Sequence, residues 1–190
     1  AKLQDMIHEI IQECETCQKV KKANKTYGTL GSIGPAKRPY EIIHIDTKSG
    51  FKGYGSMKDH LHLAIDGFTR FVWYVTASKK GANEMIHLIN KVIDCKIPEL
   101  VVSDNYPTMR GSQFRSFLKS KGIEILFTST NHPSSNGMVE RVNQTLVEKL
   151  RCHYYDQVKT GRTKAWTTTI QEVVQEYNSS IHSTTGYTPR

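Results

Sequence analysis

The chain has 190 residues, room for one ordinary domain with a short appendage and too few for two full ones. Hydrophobic residues make up 37% and charged residues 23%, the composition of a globular protein whose single core closes without a disulfide or metal staple. No apolar run approaches the roughly 18 residues of a membrane span and no signal-peptide pattern opens the chain, so neither membrane insertion nor secretion is expected.

Lys plus Arg is 26 and Asp plus Glu is 18, a net charge of +8 that is unevenly spread. Residues 1–17 carry −3, residues 18–38 carry +6 and the remainder +5. A basic stretch joined to a mildly basic body points to a polyanionic partner. Nucleic acid is favoured over a membrane surface because no basic amphipathic helix is present.

In chain order, Leu3, Met6, Ile7, Ile10 and Ile11 recur at helical spacing, followed by the Cys14-Glu-Thr-Cys17 pair. Residues 18–39 are rich in Lys, Gly and Thr, without periodicity, and close on Pro39; they read as a basic linker. YEIIHIDTKSG predicts a strand, and DHLHLAID and RFVWYVTA predict a hairpin around the turn DGFT. ANEMIHLINKVIDC has helical period, ELVVSD is a short strand ending at Asp104, SQFRSFLKSKG is a helix stopped by Gly122, and IEILFT is a further strand. The loop HPSSNG then leads into a long helix from about Gly137 to Tyr155, and WTTTIQEVVQEYNSSIH forms the last helix. Three strands in succession, then strands alternating with helices, predict an α/β fold with a mixed five-stranded sheet flanked by helices. Cys95 and Cys152 fall on what read as apolar helix faces and are expected as reduced core residues.

Three acids stand out. Asp46 interrupts the buried-looking run IIHIDT, Asp104 directly follows VVS, and Glu140 lies just past the HPSSNG loop. Strand ends and helix starts converge at one edge of an open α/β sheet, where ligands bind. Carboxylates meeting there repel one another, and a pair of divalent cations relieves that repulsion; hard oxygen donors suit magnesium. Spacing alone is weak, since 18 acids in 190 positions give about one pair at any chosen separation by chance.

The surrounding residues are more specific. Thirty-five residues separate Asp104 from Glu140, and the segment reads H-P-S-S-N-G-M-V-E-R-V-N-Q-T-L. The chain closes on Y-N-S-S-I-H-S-T-T-G-Y-T-P and opens near C-E-T-C-Q-K-V-K. Over nearly its whole length this resembles the integrase catalytic core of retroviruses and Gypsy-type long-terminal-repeat retrotransposons. The resemblance implies an RNase H-like fold and a DNA-integration enzyme of the nucleus, with a cytoplasmic pre-integration complex before entry. Such a polynucleotidyl transferase performs 3′-end processing and strand transfer. It implies that Asp46, Asp104 and Glu140 hold two Mg²⁺ or Mn²⁺ ions, about 3.5–4 Å apart in two-metal sites, Asp46 bridging both. It also implies three parts: residues 1–17 as the end of a zinc-binding N-terminal domain, 18–39 as linker, and 40–190 as the core with a following helix. Cys14 and Cys17 are then half of a Zn²⁺ site whose histidines lie outside this chain. DNA ends and target DNA are the implied partners, and joining two ends to one target implies a homo-oligomer.

For DNA contact the expected residues are Asn131, His132, Ser134 and Ser135 on the loop, and Arg141, Asn143 and Lys149 on the long helix. At the two positions after Asn143 where the family often places lysines, this chain has Gln144 and Val147. The family's short D-x-G-x-x-F is replaced by D-N-Y-P-T-M-R-G-S-Q-F, which predicts a different loop beside Asp104. Asp66 is expected to mark the hairpin turn, His44 to be a structural histidine on the Asp46 face, and His60 and His62 to form the polar face of a strand. Two other functions share the pattern: a recruited, non-catalytic DNA-binding protein, and an RNase H-like nuclease that cleaves without joining.

Overall fold

The computed structural model describes residues 34–52, 55–104, 106–128 and 137–189, together with Met6 and Glu13. The chain divides into two units, residues 1–33 and 34–190. In the first, Met6 and Glu13 are helical and exposed; Cys14, Cys17 and most of the linker lie outside the described residues.

The second unit is built on strands β1 (Ile42–Ser49), β2 (His60–Asp66), β3 (Val72–Ala77), β4 (Leu100–Asp104) and β5 (Glu124–Thr128). Helices α1 (Ala82–Ile93), α2 (Pro107–Arg110), α3 (Ser112–Ser120), α4 (Gly137–Thr160) and α5 (Trp166–Ser179) complete it. The sheet order is β3-β2-β1-β4-β5: β1, β2 and β3 run antiparallel in sequence, while β1–β4 and β4–β5 are parallel. The hairpin forms because Asp66 accepts from the backbone N–H groups of Phe68 (2.7 Å) and Thr69 (2.9 Å), an Asx turn, and from Tyr40 N–H (2.7 Å). The turn leaves Arg70 at φ 71°, a left-handed conformation that costs a non-glycine residue on the order of 1 kcal/mol or more.

Side chains alternate across β1, so Ile43 and Ile45 face one helix layer and His44 and Asp46 the other. The first layer is α1 and α3, where Met85, Leu88, Ile89 and Val92 meet Phe114 and Leu118 over Ile43, Ile45 and Val101. Each such side chain contributes roughly 1.5–3 kcal/mol on burial. α3 ends where Gly122 takes φ 70°, with Gly122 N–H on Lys119 O and Ile123 N–H on Leu118 O, a glycine-closed helix end. The second layer is α4 and α5, where Val139, Val142, Leu146 and Leu150 pack with Ile170, Val173 and Val174 onto Leu61, Leu63 and Ile65. Asn178 on α5 binds the edge of β3 through both amide atoms: Oδ1 accepts from Val72 N–H and Nδ2 donates to Val72 O, each at 2.9 Å. Among the described residues no helix is long and apolar enough to cross a membrane.

Four expectations change. Cys95 and Cys152 are exposed, because Cys95 falls just past the last turn of α1 and Cys152 lies on a side of α4 turned from the core. His62 is fully buried, with its ring nitrogens on Thr47 Oγ1 (2.8 Å) and Lys79 O (3.2 Å), so that strand face is covered rather than solvated. The residues after Asp104 form the extra one-turn helix α2, with proline at its first position, where a missing N–H costs nothing. α4 continues past Tyr155 to Thr160.

Candidate active site

Asp46 lies on the central strand and Asp104 ends the parallel strand beside it, with Ile45 opposite Ser103 in register. Glu140 sits in the first turn of α4, which crosses over β1. All three line one cleft of about 600 Å³, shared with Lys48, Asn143, Gln144, Val147, Glu148 and Arg151. The helix contribution follows from periodicity: residues 140, 144 and 148, with 143, 147 and 151, fall on one stripe of α4.

Asp46 is half-buried, and burial raises its pKa above the ordinary aspartate value, with the neighbouring Asp104 pushing the same way. The backbone N–H of Thr47, the Asn143 amide and Lys48 oppose that rise. Asn143 is buried and donates through Nδ2 to Asp46 Oδ2. Thr128, one strand further out, donates through Oγ1 to Asp104 Oδ1 at 3.0 Å. Gln144 is tied to Glu148 at 3.0 Å. Glu140 is exposed; it enters the cleft from the helix without closing on the two aspartates, and among the described residues no three His, Cys, Asp or Glu side chains form a cluster that would hold a metal ion.

The donors nonetheless suit a hard divalent cation. They are oxygens, with no thiolate or imidazole among the described lining residues, and two of the carboxylates repel each other. Asn143 Oδ1 is also buried here without a partner among the described residues, a polar atom turned to no donor.

The remaining expected residues divide. Asn143 lines the carboxylate cleft, whereas Arg141 and Lys149 line a separate one with Arg70 and Tyr177. Asn131, His132, Ser134 and Ser135 lie outside the described residues. His44 is half-buried, with Nδ1 buried and unpartnered among the described residues, and burial followed by the nearby Arg70 lowers its pKa to about 4. It is a neutral core histidine that does not line the cleft. Lys48, Thr128 and Glu148 were not singled out by the sequence reading. Lys48 was legible as the residue two beyond Asp46 on the same strand face, and Glu148 as two helical turns beyond Glu140; Thr128 needed the β4–β5 register.

The integrase core domain model matches residues 36–133. The chain is 28% identical over 194 aligned positions to the transposon Tf2-3 polyprotein of Schizosaccharomyces pombe, covering 98% of this chain and 14% of that protein. It is 26% identical over 130 positions to the Pro-Pol polyprotein of simian foamy virus type 3, covering 68% of this chain and 11% of that protein. Among solved structures, the simian T-cell lymphotropic virus intasome in complex with PP2A regulatory subunit B56 gamma matches at TM-score 0.76 and 20% identity, over 95% of this chain and 63% of that one. The HTLV-2 integrase catalytic core domain in complex with magnesium matches at TM-score 0.66 and 20% identity, over 80% and 94%. A family model spanning just over half of the chain, set on this RNase H-like sheet, makes the chain a member of the integrase core domain family.

Proposed function

We propose that this chain is a metal-dependent polynucleotidyl transferase that trims the 3′ end of an element's DNA and joins it to target DNA. Asp46, Asp104 and Glu140 would hold two Mg²⁺ or Mn²⁺ ions. The observation that carries the reading is the single cleft in which these three carboxylates line the walls beside Lys48 and Arg151, in a member of the integrase core family.

Two divalent ions, when bound, stabilise the attacking and leaving oxygens of an in-line displacement at phosphorus. The chain's own residues prepare that arrangement. Asn143 fixes Asp46 and Thr128 fixes Asp104, so the carboxylates are oriented before substrate arrives. Burial beside Asp104 makes ionised Asp46 costly, and a cation in the cleft removes that cost. Lys48 and Arg151 flank the same cleft and attract the phosphodiester. Asn131, His132, Ser134 and Ser135 on the loop before α4 are proposed to contact the DNA, and Cys14 and Cys17 to supply half of a zinc site. The reaction is placed in the nucleus as part of this proposal, and its assignment to an oligomer is supported by the HTLV-2 core's trimeric and dimeric forms.

The test is a branched DNA that mimics the strand-transfer product, incubated with Mg²⁺ or Mn²⁺ beside a Glu140→Gln control. Metal-dependent splicing of the branch, lost in the control, is the expected result. Cleavage without rejoining would replace the reading with a nuclease. DNA binding with no reaction would replace it with a recruited DNA-binding protein.

A further inference from the structure

The flank of α4 turned away from the carboxylates borders a second cleft, of about 510 Å³. Arg141, Thr145 and Lys149, one turn apart along the helix, form one wall. Arg70, at the strained hairpin tip, and Tyr177 of α5 also line it, with the Ser- and Thr-rich turn of residues 180–184. Among the described residues no acidic side chain lines this cleft.

Three observations make it more than a solvated basic surface. Tyr177 is only 7% exposed, and its hydroxyl is buried without a hydrogen-bond partner among the described residues. Burial pushes that hydroxyl up to about 12, so it stays protonated and is available as a donor. Second, Arg70 and Arg141 converge: burial first, then these two guanidinium groups, hold the pKa of His182 below its ordinary value. Third, no nearby described carboxylate closes on either arginine, although Asp66 favours the charged form of Arg70 through space. Asp66 gives its oxygens to three backbone N–H groups, and Glu176 is shared between Lys149 (3.2 Å) and His153 (3.1 Å). Among the described residues no carboxylate forms an ion pair with Arg70 or Arg141. Gathering cations and an unsatisfied donor in an acid-free cleft costs stability that a bound anion returns.

We propose that this cleft grips the phosphodiester backbone of a second stretch of duplex DNA, distinct from the strand at the carboxylates. Two arginines, a lysine already balanced by Glu176, and a neutral hydroxyl donor match a run of singly charged phosphates better than one dianion. The proposal rests on the DNA-joining reading and extends it, because α4 would then lie between two DNA tracks.

The experiment measures binding of this chain to a fluorescent 20-base-pair duplex across a salt series without divalent metal. Two double variants are compared, Arg70→Gln/Arg141→Gln in this cleft and Lys48→Gln/Arg151→Gln beside the carboxylates. The first is expected to lower the slope of log affinity against log salt by about two, because each lost phosphate contact removes nearly one unit. Tyr177→Phe, which alters one atom and leaves the fold intact, is expected to weaken binding roughly tenfold at unchanged slope. An unchanged slope in the first pair together with unchanged affinity in Tyr177→Phe overturns the proposal. If only the carboxylate-side pair then lowers the slope, the DNA reading stands without the second track; if neither pair does, both fall. Inorganic phosphate is titrated in parallel. Phosphate that stabilises the chain through Arg70 and Arg141 while the duplex slope ignores them marks a small-anion site and also overturns the proposal.

Discussion

The two helix layers pack apolar clusters onto opposite faces of the sheet and do different work. Beneath α1 and α3 the contacts are almost wholly apolar, centred on Phe114, Leu118 and Ile89, each fully buried. Beneath α4 and α5 the apolar packing is interrupted by Asn143, Thr169, Asn178 and the Tyr177 hydroxyl, all buried. Both clefts open on that second layer. Polar atoms buried without a partner mark where the fold has traded stability for chemistry. Among the described residues His44 Nδ1, Asn143 Oδ1 and the Tyr177 hydroxyl all lie on this side, whereas His62 on the other face is satisfied by Thr47 and Lys79.

That contrast can be broken from either side. The largest effect is expected from Asp104→Asn on the functional side: metal-dependent strand splicing should fall by about 10³-fold, since the proposed metal ligand would support several kcal/mol of transition-state stabilisation. Single-turnover assays beside thermal melts would check that stability hardly changes. Phe114→Ala should do the reverse, costing about 3–5 kcal/mol in chemical denaturation while the folded fraction keeps its turnover. Equal loss of both in either variant would erase the distinction between the layers.

His44 sharpens the comparison, because it is half-buried on the functional side, with its Nδ1 buried, without serving the cleft. Its pKa is depressed to about 4, so the fold favours the neutral ring. The stability this provides is complete above pH 6.5, the unfolded value, and is lost as pH falls from 6.5 towards 4, by about 3 kcal/mol. Over that window the denaturation midpoint of the parent should fall relative to that of His44→Leu, which lacks the titrating ring. The smallest effect belongs to Tyr177→Phe, which removes an unsatisfied buried hydroxyl and should raise stability by about 1 kcal/mol even as it weakens DNA binding. A destabilised variant would mean that the hydroxyl has a partner in solution.

Much of this was legible in the sequence. The strands announced themselves through β-branched runs and the DGFT turn. The carboxylates did so through local context, a charge inside IIHIDT and another directly after VVS. What escaped was rotation and depth. Arg141 and Lys149 share a helix with Glu140, yet each residue turns about 100°, and only three-dimensional packing decides which stripe meets which cleft. Cys152 was misjudged for the same reason. His62 was misjudged because alternation predicts that two faces differ without saying whether the polar one will be covered. The burial of Tyr177 also depends on a long-range contact, since its ring packs under α4 from the far end of the chain.

The Asn178 amide has a consequence for assembly. β3 is an edge of the sheet, and its outward main-chain groups would ordinarily offer a template to another chain. Asn178 occupies Val72 N–H and C=O as a neighbouring strand would, and Lys91 Nζ donates to Tyr74 O at 3.0 Å. That border is therefore partly covered by side chains of its own molecule. A copy of this chain that extended the sheet along the whole of β3 would have to break three hydrogen bonds, which disfavours that border as a contact between subunits.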